Sequence, residues 1–246
     1  MIGNQIIQLD RVDSTSNYVA TLVSEGKARH GMVILAENQT NGRGQRGTVW
    51  QSESAKNIVF SFYLEHIDLE IHQQEALTHF TSIAIHACLL KLGISSAIKW
   101  PNDILVNSKK IAGILIENQL RGTKISSSII GIGLNVSQTK FDFTGSTSVL
   151  SVLNTPIQKE EVFERLTLEL NSTYLQIQNK AYSKLKENYL NSLWLLGIES
   201  TFERNNTFFK GIIRGTDAFG RLEIEDVDGI KTYDLKEIKF TLRNEL

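Results

Sequence analysis

The sequence is poor in cysteine and proline and has no long apolar run. Its 246 residues contain one cysteine and two prolines, so no intrachain disulfide can form and a reducing compartment is expected. No apolar stretch approaches the ~20 residues that a membrane-spanning helix needs, and the first residues lack the basic segment of a signal peptide. These absences predict a cytoplasmic protein without a membrane anchor.

The sequence also lacks an excess of charge of either sign. Lysine and arginine together number 26 and aspartate and glutamate 27, which gives a net charge of −1. Nucleic-acid-binding proteins usually carry a positive bias, so any anion that this protein binds must be held by a local group of residues. With 41% hydrophobic and 22% charged residues, the composition is that of a globular protein and excludes a disordered or coiled-coil chain.

Hydrophobic periodicity predicts an α+β fold of two units. Residues 1–197 are expected to form a mixed, mostly antiparallel sheet that is covered by helices on one side. Residues 198–246 alternate apolar and polar positions between turn signals, which predicts a small β-barrel of four or five strands. The predicted strands of the first unit are 6–9, 32–36, 57–64, 97–100, 104–106, 111–117 and 128–136, and its predicted helices are 13–25, 71–92, 159–177 and 181–195.

Residues 42–47, GRGQRG, are the densest chemical signal in the chain. They match the dinucleotide-binding pattern G-x-G-x-x-G, but they precede a predicted strand rather than a helix, which excludes that fold. A P-loop is excluded as well, because no lysine stands where that motif needs one. Glycines and arginines at this density can bring backbone N–H groups and guanidinium groups together on a carboxylate or a phosphate. A flexible surface hairpin with solvated arginines is the alternative.

Two further segments carry candidate chemistry. KWPND at 99–103 is followed by Lys110, which opens an apolar strand. If Lys110 faces the same sheet surface as Ala112 and Ile114, its ammonium lies over a partly dry pocket and can stabilise a developing anion; otherwise it is a solvated hairpin lysine. Gly131 and Gly133 in the next predicted strand indicate either the close approach of a ligand or a bulge.

Taken together, these motifs resemble those of the biotin–protein ligases, also called biotin–acetyl-CoA-carboxylase ligases. The matching segments are DST at 13–15, QTNGRG at 39–44, KWPND at 99–103, KIAGILIE at 110–117 and GIGLN at 131–135. They occur in the order seen in that family, and the resemblance extends from about residue 6 to residue 245. It implies a class II synthetase-like catalytic domain in residues 1–197 and an SH3-like β domain in residues 198–246.

The resemblance implies a reaction in two half-reactions. The biotin carboxylate first attacks the α-phosphate of ATP, which gives biotinyl-5′-AMP and pyrophosphate. A lysine of a biotin carboxyl carrier protein, from acetyl-CoA carboxylase or a related biotin enzyme, then attacks the adenylate and releases AMP. Biotin is thus the expected substrate, with ATP and Mg²⁺ as cofactors, and fixed cations must offset the repulsion between a carboxylate and a polyphosphate.

The family's functional residues can be carried over to matching positions. Lys110, at the carboxylate and the bridging phosphate, and Arg43, at the ATP phosphates, are the expected catalytic residues, and Asp103 is the expected metal ligand. Residues 42–47 and Trp50 are expected to close over the adenylate and protect it from water. The expected biotin-binding residues are Ser14, Thr15, Ser16, Gln39, Arg43, Gly44, Gln45, Lys110, Gly113, Gly131 and Gly133, and the expected ATP- or adenylate-binding residues are Arg43, Arg46, Trp50, Asn102, Lys110 and Asn135.

The sequence departs from the family at two positions. Gln45 stands where the family often has a second arginine, so weaker retention of the adenylate is expected. Ser16 intervenes before Asn17, where some relatives have the asparagine directly after the serine–threonine pair. A lipoate–protein ligase or octanoyltransferase on the related fold is one alternative, although residues 38–50 contain neither a histidine nor consecutive glycines. A non-catalytic biotin-binding module is another, but it would not need Lys110 or Arg43.

Some members of the family carry an N-terminal winged-helix repressor domain. Only twelve residues precede Asp13 here, so the monofunctional form is expected. This form and the net charge of −1 together predict no specific binding to DNA. The oligomeric state is left open, with a homodimer as one alternative.

Overall fold

The structure is a computed structural model that describes residues 1–142 and 144–241, without the side chains of Arg46 and Asp68. The first part of the chain contributes seven strands to one sheet and all of the helices. The strands are β1 (Gln5–Leu9), β2 (Met32–Ala36), β3 (Asn57–Glu70), β4 (Ala97–Lys99), β5 (Asp103–Val106), β6 (Lys109–Arg121) and β7 (Lys124–Asn135). The helices are α1 (Thr15–Ser24), α2 (Glu75–Lys91), α3 (Val149–Leu153), α4 (Lys159–Gln178) and α5 (Tyr182–Asn191).

The sheet is mixed and mostly antiparallel, as predicted. Its strand order is β1-β2-β3-β7-β6-β5-β4. Only β1 and β2 pair in parallel, and every other pair is antiparallel. The long strands β3, β7 and β6 therefore form the centre of the sheet, and β4 lies at one edge.

Helices cover both faces of the sheet, so the prediction of helices on one side is wrong. On one face, Phe62 and Ile130 belong to the main apolar core together with residues of α2, α4 and α5. On the other face, Tyr63 and Ile129 join Val19 of α1 in a smaller cluster. Side chains alternate between the faces of a strand, and β3 and β7 are apolar at consecutive positions because both of their faces are packed.

Small residues occupy the part of this face that lies at the start of α1 and beyond it. Ser61 of β3 pairs with Gly131 of β7, and Gly133 of β7 pairs with Gly113 of β6. Because glycine and serine carry little or no side chain, this part of the face forms a depression in the surface of the sheet. This part of the sheet is the floor of the cavity described below.

The helix and strand predictions are confirmed for most of the chain, with differences in extent. Strand β3 extends to Glu70 rather than ending near 64, and its pairing with β7 has a register shift between Glu65 and Leu69. Helix α3 was not predicted; it is one short turn that begins where the Ser148 hydroxyl accepts a hydrogen bond from the Ser151 amide. It ends at Asn154 in the left-handed conformation with φ 52°.

The C-terminal part of the chain forms a separate antiparallel sheet of five strands in the order β11-β10-β9-β8-β12. Its buried residues, among them Phe202 and Ile224, join the main apolar core. The Trp100 indole nitrogen also donates to the Gly220 carbonyl at 2.8 Å. The sheet confirms the predicted small β unit, while a domain boundary near 197 stays a prediction. The strands are β8 (Glu199–Arg204), β9 (Thr207–Thr216), β10 (Leu222–Asp226), β11 (Gly229–Tyr233) and β12 (Lys239–Phe240).

Among the described residues, none of the helices combines the length and the apolar character needed to cross a bilayer. Cys88 is fully buried in α2, as its apolar neighbours predicted.

Candidate active site

A cavity of about 1260 Å³ lies on the α1 face of the large sheet. Its floor is formed by β3, β7, β6 and β5, and its walls include the segment after β2 and residues of the C-terminal sheet. Every residue that the sequence predicted for biotin, ATP or metal binding lines this cavity except Arg46, whose side chain lies outside the described part of the structure. Segments that are more than 100 residues apart in sequence are thus brought together at one place.

A cluster of hydroxyl groups lies at the α1 end of the cavity. The Thr15 amide donates to Gln39 Oε1 at 2.8 Å, and the Thr15 hydroxyl lies 2.7 Å from the Ser61 hydroxyl. Ser16 Oγ is 2.9 Å from the same Ser61 oxygen. Ser14 is the residue before α1, yet its side chain makes no capping hydrogen bond. These groups can donate and accept hydrogen bonds, and they suit a neutral polar ring such as a urea.

Ser61 is not among the residues that the sequence predicted for the site. It is fully buried at the centre of β3, between the bulky residues of the run IVFSFYL. Its hydroxyl is the point at which those of Thr15 and Ser16 meet. The available signal was a single serine in an otherwise apolar strand, because a buried hydroxyl needs a hydrogen-bonding partner.

The glycines of β6 and β7 mark close approach rather than a bulge. A Cβ atom on Gly131 would lie 2.8 Å from Ser16 Oγ, and one on Gly133 would lie 2.2 Å from a carbon of the Trp50 ring. Register shifts of β7 fall elsewhere, at its other end. Because these distances are shorter than any real Cβ contact, the positions require glycine for as long as Ser16 and Trp50 stay where they are.

Residues 42–50 form a hairpin that covers one side of the cavity, and we call it the flap. The Trp50 amide donates to the Gly42 carbonyl at 2.9 Å, and the Gly44 amide donates to the Thr48 carbonyl at 2.7 Å. The tip is a 3₁₀ turn over Gln45–Gly47. The prediction that no α-helix follows the glycines is confirmed. The backbone also forms a hairpin, as the alternative interpretation of residues 42–47 expected.

Two buried polar atoms of the flap have no hydrogen-bond partner in the described part of the chain. They are Trp50 Nε1, a donor, and Gln45 Oε1, an acceptor, and both residues line the cavity. A buried polar group without a partner costs about 1–3 kcal/mol. Both atoms are therefore free to bind a ligand that enters beneath the flap.

Arg43 bridges the flap to the sheet. Its guanidinium donates to Glu117 Oε2 at 3.1 Å and lies 2.5 Å from Glu117 Oε1, and it also donates to Asn17 Oδ1 at 2.8 Å. Glu117 is the last residue of the motif at 110–117, and its pairing with Arg43 was not predicted. The pair is about one-third exposed on each side, so it can open without a large desolvation cost.

Lys110 lies on the cavity face of β6. The sequence suggested that it would share this face with Ala112 and Ile114, but it does not. Ala112 and Ile114 face the main core, whereas a Cβ on Gly113 would lie 3.2 Å from Lys110 Nζ. Simple alternation is wrong here, because the β5–β6 register shifts between Ala112 and Lys110. One extra residue in β6 turns the lysine towards the cavity, which is a common effect of a β-bulge.

The Lys110 ammonium has two neighbours in the cavity. Asp103 Oδ1 is 2.6 Å from Nζ, and the centre of the Trp50 ring is 5.5 Å away. The Lys110 side chain is 35% exposed, so its charge is accessible to a ligand. Its contacts with Asp103 and Trp50 favour the pocket interpretation over the solvated hairpin. An ammonium held by a carboxylate and a ring face is fixed in position before any substrate arrives.

Two predicted asparagines use their amide groups within the protein. Asn102 Nδ2 donates to the Ile114 carbonyl at 2.6 Å, and Asn135 Nδ2 donates to the Thr147 carbonyl at 3.0 Å. Both residues line the cavity, as expected for ATP or adenylate binding. Their hydrogen bonds to backbone carbonyls also stabilise the fold. The described residues contain no group of three or more His, Cys, Asp or Glu side chains that could hold a metal ion. Asp103 therefore belongs to no such group within the described part of the chain.

Comparison with known proteins gives a consistent result. Residues 9–135 match the model of the biotin/lipoate A/B protein ligase family. Over 240 residues the chain is 32% identical to a bifunctional ligase/repressor BirA of Bacillus spizizenii, covering 94% of this chain and 72% of that protein. It is 29% identical to a biotin–[acetyl-CoA-carboxylase] ligase of Mycobacterium tuberculosis, covering 90% and 84%.

Solved structures agree with these relatives. A biotin protein ligase from Aquifex aeolicus in complex with biotin and ATP superposes with a TM-score of 0.78 at 25% identity, covering 97% of this chain and 100% of that one. A biotin protein ligase from Leishmania major in complex with biotin has a TM-score of 0.65 at 20% identity, covering 95% and 99%. The second likeness concerns the fold alone.

Proposed function

The chain belongs to the biotin/lipoate A/B protein ligase family, and from this premise we propose that its cavity joins biotin to ATP and then passes the biotinyl group to a carrier protein. The protein is an ATP-dependent biotin–protein ligase. The observation that carries the proposal is the cavity itself. Its hydroxyl cluster at one end and the Lys110 ammonium further along the sheet suit the two ends of one biotin molecule.

In the first half-reaction, a carboxylate oxygen of biotin forms a bond to the α-phosphorus of ATP. The bond from that phosphorus to the bridging oxygen breaks, and pyrophosphate leaves with the electron pair. Two unit charges 4 Å apart interact by about 4 kcal/mol at an effective dielectric constant of 20. The fixed Lys110 ammonium offsets this repulsion between the two anions, since it lies in the cavity beside Gly113.

Arg43 has a different task at the flap. In this structure its guanidinium is held by Glu117 and Asn17. We infer that ATP competes for the guanidinium, because a phosphate is a bidentate acceptor of higher charge than a carboxylate. The exchange of Glu117 for phosphate would then close the flap only when the nucleotide is present.

In the second half-reaction, the neutral amine of a carrier lysine attacks the acyl carbon of biotinyl-5′-AMP. A C–N bond forms, the bond from the acyl carbon to the phosphate oxygen breaks, AMP leaves and the amine loses a proton. No enzyme nucleophile takes part. Burial raises the pKa of the Cys88 thiol to about 12, so this cysteine stays protonated and inert in α2.

Mg²⁺ is expected to accompany ATP, and Asp103 is the residue that would hold it. Mg²⁺ usually keeps several waters and binds one or two carboxylates together with substrate phosphates. The Asp103 carboxylate at the cavity wall fits that pattern, although it also pairs with Lys110. When bound, the ion neutralises phosphate charge; the positioning of the carboxylate and the exclusion of water remain tasks of the protein's own residues.

The proposed partner is a biotin carboxyl carrier protein, and the proposed location is the cytoplasm, in keeping with the single buried cysteine. No specific DNA binding is proposed, because the net charge of −1 offers no general attraction to nucleic acid. A homodimer stays a prediction.

The function is tested with a purified carrier domain that has one acceptor lysine. Incubation with biotin and ATP should add the mass of one biotinyl group to the carrier and release AMP and pyrophosphate. Lipoate in place of biotin should add nothing. A mass shift with lipoate alone would favour the lipoate ligases, and biotin binding without AMP release would favour a non-catalytic module.

Ser61→Ala should weaken biotin binding about tenfold, which corresponds to the ~1.4 kcal/mol typical of one or two lost hydrogen bonds. The hydroxyls of Thr15 and Ser16 lose their common partner and are no longer held in place. Calorimetric titration with biotin measures the effect. Ser82→Ala is the matched control, since Ser82 is also fully buried but lies in α2 away from the cavity. Equal biotin affinity in both variants would contradict the role of Ser61.

Gln45→Arg should slow the escape of biotinyl-5′-AMP about tenfold. Gln45 Oε1 is buried at the cavity without a partner in the described residues, and a guanidinium there would add a charge-assisted hydrogen bond to the adenylate phosphate. The measurement is the rate at which free adenylate appears in solution when no carrier is supplied. Gln45→Glu should have the opposite effect, and unchanged leakage in both variants would refute the prediction.

A further inference from the structure

Lys99 is a cation of the cavity to which the function above assigns no role. It ends the edge strand β4 and pairs in register with Asp103 of β5. Its side chain lines the same cavity as Lys110.

The Lys99 ammonium is enclosed by rings rather than by acceptors. Nζ lies 5.8 Å from the centre of the Trp194 ring and 5.2 Å from that of Phe240 in the C-terminal sheet. Within residues 1–142 and 144–241 no hydrogen bond or ion pair to this ammonium is found. Burial lowers the pKa of Lys99, and the nearby Lys110 charge lowers it further while Asp103 raises it. Ring faces attract cations only modestly, so the ammonium can still bind an anion.

Three neighbouring strands carry alternating charges in this part of the cavity. Lys110 is on β6, Asp103 on β5 and Lys99 on β4, in the order that the sheet gives them. One carboxylate cannot neutralise two ammonium groups, so the row has a net charge of +1. Asp103 already lies 2.6 Å from Lys110, which leaves the excess positive charge at the β4 end.

The strand order also indicates the direction in which the leaving group of ATP points across the sheet. The hydroxyl cluster lies over β3, and Lys110 lies two strands further along, on β6. A biotin that is held by its ring at the cluster therefore directs its carboxylate towards β6. In a phosphoryl-type displacement, the attacking and leaving oxygens are roughly in line with the phosphorus. The leaving group must then point away from biotin, towards β5 and β4.

We propose that Lys99 binds the pyrophosphate leaving group of ATP and stabilises the negative charge that develops on it. This inference rests on the proposed function and adds a catalytic residue to it. When the bond between the α-phosphorus and the bridging oxygen breaks, the electron pair stays on the pyrophosphate. The Lys99 ammonium lies on the side to which that charge moves, and Trp194 and Phe240 shield it from water, which strengthens its electrostatic effect.

The test compares the two half-reactions in the same preparations. Lys99→Met and Lys99→Gln should lower the rate of biotin-dependent ATP–pyrophosphate exchange about 10- to 100-fold and raise the KM for pyrophosphate. Transfer from supplied biotinyl-5′-AMP to the carrier should stay at the wild-type rate, because no pyrophosphate is involved in that step. Lys99→Arg should retain most of the exchange activity.

Lys109→Met is the matched control, because Lys109 is an exposed lysine next to Lys110. It should leave both half-reactions unchanged. Undiminished exchange in Lys99→Met and Lys99→Gln would overturn the inference, and so would an equal loss of both half-reactions, which indicates a structural role. A wild-type protein that catalyses neither half-reaction would instead refute the proposed function.

Discussion

Lys110→Ala should lower the rate of adenylate formation about 10²- to 10³-fold, which is the usual effect of removing one preorganised group from a developing charge. The ammonium is held in the cavity by Asp103 at 2.6 Å and by the face of Trp50. It is therefore in place before the carboxylate and the α-phosphate come together. Biotin-dependent ATP–pyrophosphate exchange measures this step without a carrier protein.

Two controls separate the charge of Lys110 from its other effects. Removing the lysine also leaves the Asp103 carboxylate without its partner, which by itself repels ATP. Lys110→Arg keeps a positive charge beside Asp103 and should recover part of the exchange rate, whereas the neutral Lys110→Gln should not. Lys109→Ala, on the exposed neighbour, should exchange pyrophosphate normally. Near-normal exchange in Lys110→Ala, with the fold intact by circular dichroism, would refute the assigned role.

The sequence was a good guide to which residues gather at the cavity. Glycine spacing, the KWPND segment and the lysine-led strand identified the lining, because each needs a residue type with special geometry or charge. The same reasoning was less reliable about orientation. Strict alternation from Ala112 would have pointed Lys110 into the main core, and only the register shift against β5 turns it to the cavity. A bulge depends on how two strands pair, and no single strand's sequence contains that information.

Side-chain contacts between segments that are far apart in the chain could not be predicted from the sequence. Arg43 and Glu117 are 74 positions apart, and nothing in either segment indicates that they pair. Ser61 was missed because its partners, Thr15 and Ser16, lie in α1, 46 and 45 positions earlier in the chain. The prediction that all helices cover one face of the sheet failed at α1 for a related reason. Periodicity shows that a helix has an apolar face, but it does not show which face of the sheet that helix covers.

The most disruptive substitution on the cavity floor should be Gly133→Ala. The added methyl group would lie 2.2 to 2.7 Å from three carbon atoms of the Trp50 ring, which are the nearest atoms to that position. The ring must move, and it takes the end of the flap with it. A displacement of about 1 Å in a group that positions substrate can cost about 10²-fold in rate, and we expect adenylate formation to fall by about that factor. Overpacking should also lower the free energy of unfolding by about 1–3 kcal/mol.

A double-mutant cycle shows whether the clash with Trp50 is the cause. Trp50→Ala removes the ring, so Gly133→Ala should cost almost nothing further in that background, and the two effects should be far from additive. Gly145→Ala is the matched control, because a Cβ there would have no described atom within 4 Å. If Gly133→Ala lowers activity by the same factor with and without Trp50, the glycine is needed for the ligand itself rather than for the seating of the flap.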